Sequence, residues 1–128
     1  MKEVLIIVRL NKLSRTKEAL TNAGVLGFTC RKIMGRGKKM YVSELYSVLS
    51  QEELPPSPIG EYFTEGSRLI PKRLFTIITE DEDVKAIVDA VMEVNSTGNP
   101  GDGKIFVMPI TEAYRIRDGK QQEGSESY

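Results

Sequence analysis

At 128 residues the chain has the length of one domain, and folding should remove roughly two thirds of its unfolded surface from water. Its 18 lysines and arginines balance 18 aspartates and glutamates, so no overall field draws it to nucleic acid or to an acidic membrane, and any cationic site is local. Histidine is absent and Cys30 is the sole cysteine, which excludes histidine nucleophiles, bases and metal ligands together with an intramolecular disulfide, and points to a reducing, cytoplasmic setting.

The apolar run Val4–Val8 is too short for a signal peptide or a membrane span, and its β-branched character predicts a first strand buried on both faces. Leu13, Ala19, Leu20 and Ala23 share one helical face between Asn11 and Gly24, with Gly24 placed for a left-handed cap. A second strand is expected over Val25–Met34, where Cys30 reads as a small buried hydrophobe. Leu74–Ile78 reads as a third strand. Thr79-Glu80-Asp81-Glu82 then has capping-box spacing ahead of Val84, Ile87, Val88 and Val91, and the acidic first turn suits the helix dipole without any ligand role. Lys104–Ile110 is the last strand.

The order is βαβ, long insert, βαβ. With right-handed crossovers this gives an α+β, ferredoxin-like, four-stranded antiparallel sheet with two helices on one face, in a single domain over 1–128. One sheet face is left without helices, and the two-sided apolarity of strands one and three predicts a homo-oligomer that covers it, with clefts between subunits. The insert, 35–70, reads as a long mobile loop hinged at Gly35 and Gly37, and 118–128 as a flexible tail. Tyr41, Tyr46, Tyr62 and Phe63 give the loop more apolar surface than a linker requires. Lys38 and Lys39 at its base are either a solvated pair or anion contacts.

The segment GDGKIFVMPITEAYRIRDGK, from Gly101 to Lys120, raises the question of a phosphate site. Gly98 to Lys104 has the glycine and lysine spacing of a Walker A loop, but Ile105 replaces the Mg²⁺-binding hydroxyl and the loop enters a strand rather than a helix. A weaker arrangement survives. Glycines let backbone N–H groups approach an anion, Lys104 adds a charge, and Arg115 and Arg117 would share a face if that segment is extended. A tight turn beside two solvated arginines remains the alternative.

This same segment resembles the C-terminal signature of the nitrogen-regulatory PII signal proteins. The likeness continues in MKEVLIIVRLNKLSRTKEALTNAG, in GFT at Gly27–Thr29, in GRGKK at the loop base, in SELY at Ser43–Tyr46 and in IPK ending at Lys72. It implies a trimer with ATP or ADP in inter-subunit clefts, and 2-oxoglutarate bound beside MgATP at the base of the loop. It places the nucleotide against Ile7, Gly27, Phe28, Thr29, Gly35, Gly37, Lys38, Ile78, Gly101, Asp102, Gly103, Lys104, Arg115 and Arg117. Lys72 would pair with an oxoglutarate carboxylate, while backbone amides from Lys39 through Met40 to Tyr41 receive the other end. No catalytic residue and no direct protein ligand for Mg²⁺ is implied.

Two departures stand out. Lys39 occupies the position where the family usually has glutamine; an ammonium cannot ligate Mg²⁺, so the metal is held by ATP, oxoglutarate and water, or Lys39 pairs with a carboxylate. The distal loop is longer than the common pattern and lacks the usual tyrosine context, which resembles the nitrogenase-associated branch, in which two paralogues act together. The expectation is a regulator that inhibits the dinitrogenase component through its loop and is relieved by 2-oxoglutarate with MgATP. A regulator of an ammonium transporter or a nitrogen-assimilation enzyme is the alternative. A ferredoxin-like phosphoryl-transfer enzyme is a second, weakened by the missing histidine nucleophile.

Overall fold

The computed structural model describes residues 1–37 and 69–124. The expected mobile loop base from Lys38 to Tyr41, and most of the long insert, lie outside them.

Strand β1 (Lys2–Arg9) leads through a 3-10 turn into helix α1 (Leu13–Asn22), followed by β2 (Thr29–Gly35). The second half repeats the pattern as β3 (Ile70–Thr79), a 3-10 turn at Asp81–Asp83, α2 (Val84–Asn95) and β4 (Gly103–Pro109). The strands form one antiparallel sheet of order β2-β3-β1-β4, as expected of the ferredoxin-like arrangement. Alternate residues of the central strands, Val4, Ile6 and Val8 with Phe75 and Ile77, face the helices and pack on Leu20, Ile87 and Val91. The helices are joined at one end by a buried polar pair: the Asn95 amide donates to Thr16 Oγ1 at 3.0 Å and to the Val91 carbonyl at 2.9 Å.

The intervening residues Leu5, Ile7, Leu74, Thr76 and Ile78 form the opposite face, with Phe106 45% exposed at its β4 edge. No helix lies over it among the described residues.

Helix α1 ends as its glycine predicts. Gly24 has φ +89°, its N–H reaches the Thr21 carbonyl, and the Val25 N–H reaches that of Leu20, the paired closure of a Schellman motif. That closure also corrects an expectation. The second strand starts at Thr29 rather than Val25, because the Val25 N–H is spent on the helix end and its side chain packs on the core. The capping box is likewise not formed. Thr79 is buried at the end of β3 opposite Lys2, and a 3-10 turn without any side-chain cap leads into α2, so Thr79 cannot stand at the helix start. Asp81 instead accepts from the Met1 amine at 3.0 Å.

Candidate functional site: a cation-clasped glycine turn at the end of the sheet

After α2 the chain turns at Thr97–Asp102 before entering β4. Asp102 organises this turn: one carboxylate oxygen accepts the N–H groups of Thr97 at 2.7 Å and Gly98 at 3.1 Å, and the other accepts Thr97 Oγ1 at 2.5 Å. These donors, led by Thr97 and helped by Arg9, hold its carboxyl down at about 2, from an ordinary 3.8. Gly98, Gly101 and Gly103 have φ of +81°, +96° and +121°, which glycine alone adopts without strain. At Gly103 there is also no room: an added Cβ would stand 1.8 Å from the Ile7 carbonyl oxygen. This glycine is required by close strand approach whether or not an anion binds.

The sheet supplies cations to the same place. Arg9 and Lys72 face each other across β1 and β3. An Arg9 Nη2 donates to the Pro100 carbonyl at 2.8 Å and lies 3.3 Å from the Asp102 carboxylate, while Lys72 Nζ donates to the Gly101 carbonyl at 2.8 Å. Burial first, and then the neighbouring Arg9, lower the pKa of the Lys72 ammonium, with Asp102 opposing them. Gly35 closes β2 opposite Ile70, so the long insert leaves and re-enters the sheet beside Lys72. Gly35 and Gly37 lie outside the positive-φ region, and among the described residues nothing stands within 4 Å of where a Cβ would sit on either.

The other residues expected around a nucleotide are distributed over the sheet. Ile7 and Lys104 face each other across β1 and β4, with Lys104 exposed at the β4 edge. Thr29 lies on β2, the opposite edge, opposite Thr76. Three strand spacings separate the two edges, about 14 Å, so one chain does not bring them together. Gly27 and Ile78 line a cleft of about 380 Å³ beside that far edge, and Phe28 packs on Phe75 with ring centroids 5.5 Å apart. Arg115 and Arg117 do not lie on an extended strand. They sit in the turn of a small hairpin between β5 (Ala113–Tyr114) and β6 (Gln121–Gln122), where Arg115 is engaged by both oxygens of Asp118, while Arg117 is exposed. Part of the segment read as a tail from 118 is therefore built into this hairpin.

Sequence reasoning missed Arg9 and Thr97. Arg9 ends an apolar strand like any solvated arginine, and only its register against Lys72 reveals its place. Thr97 had a legible signal, a hydroxyl followed by glycine just before Asp102, in the manner of side chains that bond nearby backbone.

The family model for nitrogen regulatory protein P-II matches residues 1–120. The chain belongs to the P-II family. It is 41% identical over 125 residues to the nitrogen fixation nifHD region GlnB-like protein 2 of Methanobacterium ivanovii, covering 96% of this chain and 97% of that one. With the protein of the same name from Methanothermobacter marburgensis it shares 40% over 119 residues, 93% of this chain and 94% of that one. A nifHD region GlnB-like protein 1 from Methanothermococcus thermolithotrophicus is 37% identical over 120 residues, 94% and 97% of the two chains. As a P-II protein the chain is a regulatory signal-transduction protein and not an enzyme, and its relatives carry the names of a nitrogen-fixation region. No helix among the described residues is long and apolar enough to cross a membrane.

Proposed function

We propose that this P-II protein is a cytoplasmic sensor of ATP, ADP and 2-oxoglutarate that controls nitrogen fixation, binding the dinitrogenase component through its long loop and releasing it when 2-oxoglutarate and MgATP are bound. The observation that carries this reading is the convergence of Lys72, Arg9 and the glycine turn at the end of the sheet from which the long insert departs. A loop can be shifted only by a ligand that binds one of its states better than another. A dianion held between Lys72 and the loop-base amides at Lys39 to Tyr41 would meet that condition. Lys39 would pair with a carboxylate rather than with Mg²⁺, leaving the metal to ATP, oxoglutarate and water.

The separation of Thr29 and Lys104 onto opposite edges supports a nucleotide site shared between copies. Covering the apolar open face in a homotrimer would bring the Gly27–Thr29 edge of one subunit toward Gly101–Lys104 of the next, with Arg115 and Arg117 adding charge for the phosphates. Names numbered 1 and 2 among the relatives support a paralogue acting alongside this chain.

The test assays dinitrogenase with this protein and its paralogue while titrating 2-oxoglutarate at fixed MgATP. Inhibition should fall with oxoglutarate, and Lys72→Ala should shift the required concentration upward about tenfold or more. Persistent inhibition at saturating oxoglutarate, or unaltered inhibition after deletion of residues 47–66, would overturn the mechanism. A complex with an ammonium transporter instead would select the alternative target.

A further inference from the structure

We propose that Arg9 is a positioning residue: it holds the Pro100–Asp102 turn against the end of the sheet while Lys72 exchanges the Gly101 carbonyl for a bound anion. The exchange step rests on the function proposed above; the holding role stands on the geometry alone.

Two adjacent cations grip three consecutive residues of one turn, but they grip differently. A single Arg9 nitrogen, Nη2, bridges the Pro100 carbonyl and the Asp102 carboxylate, and the second of these contacts is charge-assisted. Among the described residues, Lys72 holds only the uncharged Gly101 carbonyl. Its ammonium has lost part of its hydration and stands beside a second cation, while Asp102 is already engaged by Thr97, Gly98 and Arg9. An arriving carboxylate therefore competes well for Lys72 and poorly for Arg9. When Lys72 leaves, the Gly101 carbonyl loses its partner, and Arg9 is what keeps the turn from drifting off the sheet. The backbone amides of Gly101–Lys104 then stay where a polyphosphate would meet them.

The first arm of the test needs no ligand. Amide hydrogen exchange at Thr97 and Gly98 should accelerate about tenfold or more in Arg9→Gln, with Arg9→Lys restoring much of the protection. Lys72→Met, which removes only the exchangeable contact, should leave both amides within about twofold of the wild type. Unchanged exchange in Arg9→Gln, or a rise shared equally by the core amides of Ile6 and Phe75, would overturn the holding role. In the second arm, MgATP affinity is measured calorimetrically with and without saturating 2-oxoglutarate. Oxoglutarate should preserve or tighten MgATP binding in the wild type and weaken it about tenfold in Arg9→Gln. The same response in both proteins overturns the exchange step. A wild type that binds neither ligand would sink the function proposed above, while the exchange measurements still decide the role of Arg9.

Discussion

Two turns near the C-terminus each pair an acid with an arginine, and they are built at different ranges. In the hairpin turn, Asp118 takes Arg115 only three positions away and also accepts the Lys120 N–H at 3.0 Å. In the glycine turn, Asp102 is met by Arg9 from 93 positions away, and the Gly101 carbonyl by Lys72 from 29. The hairpin turn is thus satisfied by its own sequence. The glycine turn is knit locally by Asp102 to Thr97 and Gly98, but its Pro100 and Gly101 carbonyls are held by Arg9 of β1 and Lys72 of β3, which makes its seat on the sheet responsive to whatever perturbs the sheet end.

The largest test of this contrast is Gly103→Ala. The new methyl would collide with the Ile7 carbonyl at a φ of +121°, so β4 must shift away from β1, at a cost of about 3 kcal/mol or more. Urea unfolding should show a much lower midpoint. A midpoint close to wild type would mean that the β1–β4 approach is looser than described.

A smaller effect is expected from Asn95→Ala, where α2 hands the chain to the glycine turn. The substitution leaves the buried Thr16 hydroxyl without its donor and should cost about 1 to 3 kcal/mol in the same assay. Thr16→Ser, which keeps the hydroxyl, should cost less.

Acid should separate the two turns more gently. The Asp102 carboxyl is depressed in the folded protein, so the stability it contributes is fully present above the unfolded value near 3.8 and is lost as pH falls through about 2. Asp118 is lowered too, through Arg115. Amide exchange at Thr97 and Gly98, corrected for its intrinsic pH dependence, should rise across that window in the wild type. The Asp102→Asn variant should show no such rise, having lost the titrating group; a matching rise there would remove Asp102 as the organiser.

The smallest change is expected from Asp118→Asn. Removing the charge while keeping an acceptor for Lys120 should leave the unfolding midpoint unaltered, because the exposed pair contributes little. It should also release Arg115 and tighten MgATP roughly twofold to threefold. Weaker nucleotide binding would show that Asp118 orients Arg115 for the phosphates instead of competing with them.

Much of the fold was legible because its signals are local and repeated. The apolar runs of β1 and β3, the helical spacing of Val84, Ile87, Val88 and Val91, and the glycine that closes α1 all act within a few residues of themselves. The long GDGK to RIRDGK segment was specific enough to indicate the family. Errors arose where local pattern met tertiary competition. Val25 has strand character, but its N–H closes a helix; Thr79 has cap character, but the β3 ladder holds it; the arginines two apart suggest a strand, but Asp118 and Gly119 fold them into a turn.

By itself, then, the sequence determined the element order, the sheet class, the missing histidine chemistry and the family. It did so because periodicity, composition and a long contiguous motif need no knowledge of what lies across the sheet. Only the tertiary structure decided that Arg9 and Lys72 close on one turn, that Gly103 admits no side chain, and that Thr29 and Lys104 stand on opposite edges. Those facts depend on strand register and order, and a shift of one residue in register would turn each side chain to the other face.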